Sequence, residues 1–318
     1  MAARMIRGSE LANIFQVKPQ QVNNLRTRYD LVDDLDTTLS ANGHRYYTPS
    51  GIRKILTKRN YSFSPKAVCI CNVKGGVGKT TIAVNLAKKT ASLGFKTLLI
   101  DCDKQGNATD QIAPNLREKS FPCLFDIVKN QIKISDTIVE INDHLSLLPS
   151  NLSNQLLEQE ILNKKLNLGN YFKKLLNGHE FDLIIFDTEP NLSLINLMAL
   201  AYCELNIAPI RLDKNSLDGL ELLLGFIDQQ KSQWPEMEIA TKVLINGFDK
   251  RTTTEALKKI SEVQALGMDT FNTAIRIDQG FVKSQDTHEI KHTSKAYEDI
   301  TMLAAELLDL SPRDSKLQ

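Results

Sequence analysis

The chain has 318 residues, with 39 Lys/Arg against 38 Asp/Glu and 42% hydrophobic residues. That ordinary globular balance leaves room for one large α/β domain plus a small appendage and excludes low-complexity and repeat architectures. Five cysteines without a Cys-x-x-Cys pair point to buried free thiols rather than a disulfide scaffold. No run reaches the roughly 18–20 apolar residues of a membrane span, so a cytoplasmic location is expected.

The near-neutral total conceals an asymmetry. Residues 1–64 hold ten Lys/Arg and five Asp/Glu, a net +5, which leaves −4 for the rest. The basic end is the expected reader of nucleic acid. Within it, Ser9 to Phe15 has helical apolar spacing at Leu11, Ile14 and Phe15, and Val17-Lys18-Pro19 reads as a turn. A second helix runs from Pro19 to Arg28, with Val22 and Leu25 inward and Gln20, Gln21, Asn23, Asn24, Arg26 and Arg28 outward.

Two helices across a short turn predict a helix-turn-helix, and amide and guanidinium side chains suit base edges and phosphates. Gly43 to Pro49, including Arg45, reads as a wing or strand leading into a helix from Ser50 to Lys58. A small dimerisation or packing domain is the competing reading of this segment. The expected organisation is a winged-helix-like α domain over 1–60, a linker over 61–66, an α/β domain over 67–310 and a tail over 311–318.

From Ala67 onward, near-continuous apolar runs alternate with helical patterns: Ala67 to Val73, Lys96 to Asp101, Leu145 to Pro149, Phe181 to Asp187, Leu205 to Pro209 and Thr241 to Asn246. This predicts an α/β fold, a mostly parallel sheet with helices on both faces. After the first run stands Lys74-Gly75-Gly76-Val77-Gly78-Lys79-Thr80-Thr81, a phosphate-binding loop opening a helix. Its backbone N–H groups and helix N-terminus cradle phosphates, Lys79 reaches the β/γ-phosphates, and the Thr80 hydroxyl ligates Mg²⁺.

The loop departs from the ordinary pattern because Val73 replaces the first glycine and a second lysine, Lys74, follows it. A lysine there can cross a subunit interface and neutralise charge on a partner's nucleotide, as an arginine finger does. Further acids close two apolar runs. Asp101 and Asp103 end the second and fall on one side of it, where open α/β sheets bind ligands. Asp187 ends the run from Phe181, placed to hold a Mg²⁺ water.

These motifs resemble the deviant Walker A ATPases, the group of the ParA partition proteins, MinD and the nitrogenase iron protein. The stretch Asp101-Cys102-Asp103-Lys104-Gln105-Gly106-Asn107 is similar to the Walker A′ motif, usually Asp-x-Asp-Pro-Gln-Gly-Asn, with Lys104 in place of proline. The resemblance implies that Asp103 orients the attacking water and Asp101 supports the metal shell. Asp187-Thr188-Glu189-Pro190 resembles Walker B, with Glu189 replacing a proline.

By the same resemblance, Asn246 contributes to adenine recognition and Arg251 binds DNA without reading sequence. Arg276 and Lys283 lie in the matching downstream region. The N-terminal segment resembles the DNA-binding arms of the larger ParA proteins, and its Arg-Tyr-Tyr-Thr element resembles MerR-like winged helices. The implied activity is ATP hydrolysis with Mg²⁺, slow until stimulated by a ParB-like centromere-binding partner. An ATP-dependent homodimer would coat DNA and associate with the nucleoid.

A sequence-specific repressor switched by nucleotide, and an ATPase positioning a protein cargo, stand as alternatives. The acidic final helix, near Ser294 to Leu310, argues against a membrane-bound role. His288-Glu289-Ile290-Lys291-His292 spells a zinc-protease signature, but no third ligand accompanies it and an exposed loop is the better reading.

Overall fold

The computed structural model describes residues 4–213, 216–234, 236–249, 253–277 and 294–310. The N-terminal module consists of β1 (Ile6–Arg7), α1 (Gly8–Ile14), α2 (Pro19–Arg28), β2 (Thr37–Leu39), β3 (Arg45–Tyr47) and α3 (Pro49–Lys58). Its strands form a small antiparallel sheet in the order β1-β3-β2. Proline opens both α2 and α3, where a missing N–H costs nothing. The Thr48 hydroxyl caps α3 by accepting from the Gly51 N–H at 3.0 Å. Tyr47, fully buried, ties sheet to helix by donating from its hydroxyl to the Val22 carbonyl at 2.9 Å.

Among the described residues the large sheet has nine strands: β4 (Lys66–Ile70), β5 (Thr97–Asp101), β6 (Val139–Asn142), β7 (Leu145–Leu148), β8 (Leu183–Asp187), β9 (Leu205–Ile210), β10 (Ala240–Phe248), β11 (Asp269–Thr270) and β12 (Ile275–Arg276). Their order is β11-β10-β9-β4-β8-β5-β7-β6, with β12 also pairing on β10. All pairs are parallel except β6 with β7. The hairpin edge β6 was not foreseen from the sequence.

Side chains of β4 alternate between two layers, as a sheet covered on both faces requires. Val68 and Ile70 pack with α4 (Lys79–Ser92) and the C-terminal helix, and Ala67, Cys69 and Cys71 pack on the opposite side. That opposite layer is built from α6 (Leu124–Asn130), α7 (Leu157–Asn163), α8 (Tyr171–Leu175), α9 (Leu194–Tyr202) and α10 (Ser216–Gln233). Two further helices are α5 (Asn107–Ile112) and α11 (Thr253–Ala265), and α12 (Lys295–Leu307) ends the described chain. All five cysteines are buried free thiols.

The segment expected as a linker is an ordered strap. Tyr61, Phe63 and Phe95 form an aromatic trio with centroids 5.1–5.6 Å apart, and the Tyr61 hydroxyl donates to the Leu308 carbonyl at 2.5 Å. One apolar cluster runs from Ile6 and Leu11 through Ile52 into Leu86, Phe95 and Leu303, so the N-terminal module is docked on the α/β layer. Two polar ties fix it. Arg53 of α3 grips Asp182 at 2.5 and 3.2 Å and donates to the Gly94 carbonyl at 2.9 Å. Gly94 sits at φ +85°, and a Cβ there would lie 2.4 Å from the Pro49 carbonyl oxygen, so glycine permits the close approach.

The second tie joins α1, α4 and α12. Buried Lys89 donates to Glu10 at 2.7 Å and to the Tyr297 hydroxyl, and its ammonium stands 3.6 Å from the Tyr297 ring centroid. Burial pulls the Lys89 ammonium down to about 8, with Glu10 opposing the shift.

Arg53→Ala strands the nearly buried Asp182 carboxylate with one backbone donor, the Lys96 N–H at 2.6 Å. It is expected to cost about 2 kcal/mol, read as a lower midpoint in urea unfolding. An unchanged midpoint would assign the docking to the apolar contacts and the Lys89 tie.

Candidate nucleotide site

The strand order places β4 between β8 and β9, so the loop leaving β4 emerges at the centre of the sheet's carboxyl edge. Its shape depends on two glycines with positive φ, Gly76 at +72° and Gly78 at +93°. A Cβ on Gly78 would also meet the Asn246 amide nitrogen at 2.3 Å. Asn72, which carries no recognisable motif, braces the loop from below. Its amide donates to the Pro209 carbonyl at 2.9 Å while its oxygen accepts from the Lys74 N–H at 3.1 Å.

Lys79 is 6% exposed and its Nζ donates to the Lys74 carbonyl at 3.0 Å, folded across the loop that it serves. Burial lowers its pKa, and the nearby Cys71, Asp187 and Asp103 oppose that shift. The Lys74 side chain is ion-paired with Asp213, beyond β9. Asn246 donates from its amide to the Val77 carbonyl at 2.6 Å, so its donor braces the loop in this structure.

The register of β5 with β8 sets Asp101 beside Asp187, both fully buried. Their surroundings differ. Asp101 accepts from the Thr109 N–H and hydroxyl at 2.8 and 2.7 Å and from the Asp103 N–H at 3.1 Å, so it braces the 103–109 segment. Neither oxygen of Asp187 has a hydrogen-bond partner of good geometry among the described residues. Burial pushes the Asp187 carboxyl well up, the Asp101 charge adds to this, and the Thr80 side chain pulls the other way.

A buried carboxyl with no well-formed hydrogen bond, next to a threonine hydroxyl, fits a divalent cation or one of its waters at Thr80 and Asp187. Asp101, expected to support the metal shell, has instead engaged both oxygens with the protein. Asp103 lies in front: its carboxylate accepts from the Gln105 N–H at 2.9 Å and lines the cleft.

That cleft holds about 490 Å³ and is bounded by Gly76, Gly78, Lys79, Thr80, Thr81 and Asp103, with Thr188 and Pro190 from the segment after β8. Asn107, Asp110, Gln111 and Arg117 complete it, and sequence reasoning had named none of these for the site. Asn107 falls within the Walker A′ pattern and was the one open to discovery there; the others carry no local signal.

The expected DNA-facing residues divide. On α2, Gln20, Asn23, Asn24, Arg26 and Arg28 are exposed, but Gln21 caps the helix by accepting from the Lys18 N–H at 2.8 Å. Asp33 takes Arg26 and Arg45, each at 2.6 Å. Arg276 is spent on Asp299 (2.6 Å) and Glu298 (3.2 Å) of α12, so its charge is matched within the chain. Arg251, Lys283 and the two histidines of the zinc-like signature lie outside the described residues.

A central phosphate loop at the carboxyl edge of a parallel sheet, with buried acids at the tips of β5 and β8, defines a nucleoside-triphosphate-binding α/β protein. Residues 65–241 match the family described as AAA domain. The chain is 31% identical over 200 residues to the chromosome partitioning protein ParA of Myxococcus xanthus, covering 61% of this chain and 69% of that one. It is 30% identical over 203 residues to the sporulation initiation inhibitor protein Soj of Bacillus subtilis, covering 63% and 79%. A plasmid-partition structure from Borrelia burgdorferi B31 bound to AMPPNP superposes with a TM-score of 0.64 at 23% identity, covering 77% of this chain and 98% of that one. The chain belongs to the ParA family of P-loop ATPases. Among its described residues no helix is long and apolar enough to cross a membrane.

Proposed function

We propose that the chain is an ATP-driven partition protein: ATP with Mg²⁺ closes a homodimer, the dimer binds DNA through phosphates, and a ParB-like partner accelerates hydrolysis and release. The observation that carries this reading is the pairing of an intact phosphate loop with the fully buried Asp187 carboxyl beside Thr80, neither of whose oxygens has a hydrogen-bond partner of good geometry among the described residues. The triphosphate lies along the N–H groups of residues 75–80, with Lys79 turning from the Lys74 carbonyl to the β/γ-phosphates. Thr80 and Asp187 would hold Mg²⁺, which would supply neutralisation of the phosphate charge. Asp103 accepts a hydrogen bond from the attacking water and aligns it in the cleft.

Lys74 leaves Asp213 to reach the partner's nucleotide, which makes hydrolysis depend on dimerisation. A nucleoid-associated, cytoplasmic protein follows from this cycle. The exposed polar face of α2 supports a second reading alongside it, in which the N-terminal module represses an operator and nucleotide sets its state.

Binding to random-sequence duplex DNA, measured with ATP, ADP and no nucleotide across a salt series, tests the proposal. The expected result is binding that requires ATP and falls linearly in log K against log salt, with a slope near −0.9 per phosphate contacted. Binding indifferent to nucleotide, or confined to one operator sequence, would transfer the function to the N-terminal module.

A further inference from the structure

Lys104 and Glu189 both stand where the family's motifs carry proline, and the fold brings them together. Lys104 Nζ lies 3.3 Å from Glu189 Oε2. Lys104 directly follows Asp103, and Glu189 is the second residue after Asp187. Because Asp101 and Asp187 are in register, the two segments leave the sheet side by side at the mouth of the cleft.

Glu189 is a fixed post: its side chain is 10% exposed, and its carbonyl accepts from the Asn196 amide and the Asn191 N–H, each at 2.9 Å. The Asp103 backbone is held from the other side. Its carbonyl accepts from the Ser150 hydroxyl at 2.6 Å and the Gly106 N–H at 2.8 Å.

A proline at position 104 would restrict the backbone by its ring; lysine does not. We propose that the Lys104–Glu189 ion pair replaces that covalent stiffness, acting as a positioning pair that holds the Asp103 segment against the segment after β8. This rests on Asp103 as the water-aligning group. The substitution has a consequence that prolines lack. An ion pair with one partner 42% exposed is weakened by salt, so hydrolysis acquires an ionic-strength dependence of its own.

The test compares Lys104→Glu, Glu189→Lys and the double charge exchange with wild type and with Asp103→Ala, for kcat, KM for ATP and amide hydrogen exchange over residues 103–107. Each single change is expected to lower kcat about fivefold, as loss of a roughly 1 kcal/mol restraint predicts, with KM within about twofold and faster exchange. The double exchange should recover most of the rate and the protection. Single variants at wild-type kcat, a double variant no better than the singles, or a parallel loss of ATP affinity would each overturn the positioning role. Wild-type turnover in Asp103→Ala would instead overturn the assignment of Asp103 and leave the ion pair's restraint to be judged by exchange alone.

Discussion

Lys79→Ala is expected to weaken ATP binding by about 100-fold or more, measured by equilibrium titration of the folded protein. Lys79 is 6% exposed, its ammonium held on the Lys74 carbonyl with Asp187, Asp103 and Cys71 near it. Two charge-assisted hydrogen bonds to phosphate oxygens at about 1.5 kcal/mol each correspond to about two decades in affinity. Removal also leaves two carboxylates near the phosphates without their counter-charge, which adds to the loss. Retained affinity would mean that nucleotide binds elsewhere than in the 490 Å³ cleft.

Asp103→Ala is expected to behave differently. ATP should bind with near wild-type affinity because the phosphate loop is untouched, while single-turnover hydrolysis falls about 100-fold, the scale of a lost general base. The ATP-bound dimer should then persist, visible by light scattering. The substitution removes the carboxylate's bonds from the Gln105 N–H and the Asn107 amide and leaves the backbone bonds to Asp101 and Ser150 in place, so the segment keeps its main anchors. Unchanged turnover would remove Asp103 from the chemistry.

The strands that carry the site were legible because each is a short apolar run ending at a polar residue: Ala67 to Cys71 before Asn72 and the loop, Leu98 to Ile100 before Asp101, Leu183 to Phe186 before Asp187. Their function is encoded in spacing within single segments. The elements that escaped notice were too short or too exposed to show a period. β1, β11 and β12 have two residues each, and β6 is a half-exposed edge.

The charged residues were the hardest to read. Arg26, Arg45 and Arg276 look alike in sequence as candidate phosphate contacts, and each is taken by an acid, Asp33 seven and twelve residues away and Asp299 twenty-three away. An arginine's availability depends on which carboxylates the fold delivers to it, and composition alone does not contain that.

The sequence by itself determined the phosphate loop, the acids at the strand tips, the alternation of the α/β layers and the two helices at the N-terminus, because these follow from backbone stereochemistry and hydrophobic periodicity over a few residues. The tertiary structure alone decided that Asn72 and Asn246 brace the loop, that Arg53 locks the N-terminal module to Asp182 across 129 residues of chain, and that Lys104 meets Glu189. Those contacts depend on strand order and register, which bring distant segments within bonding distance only after the sheet has assembled.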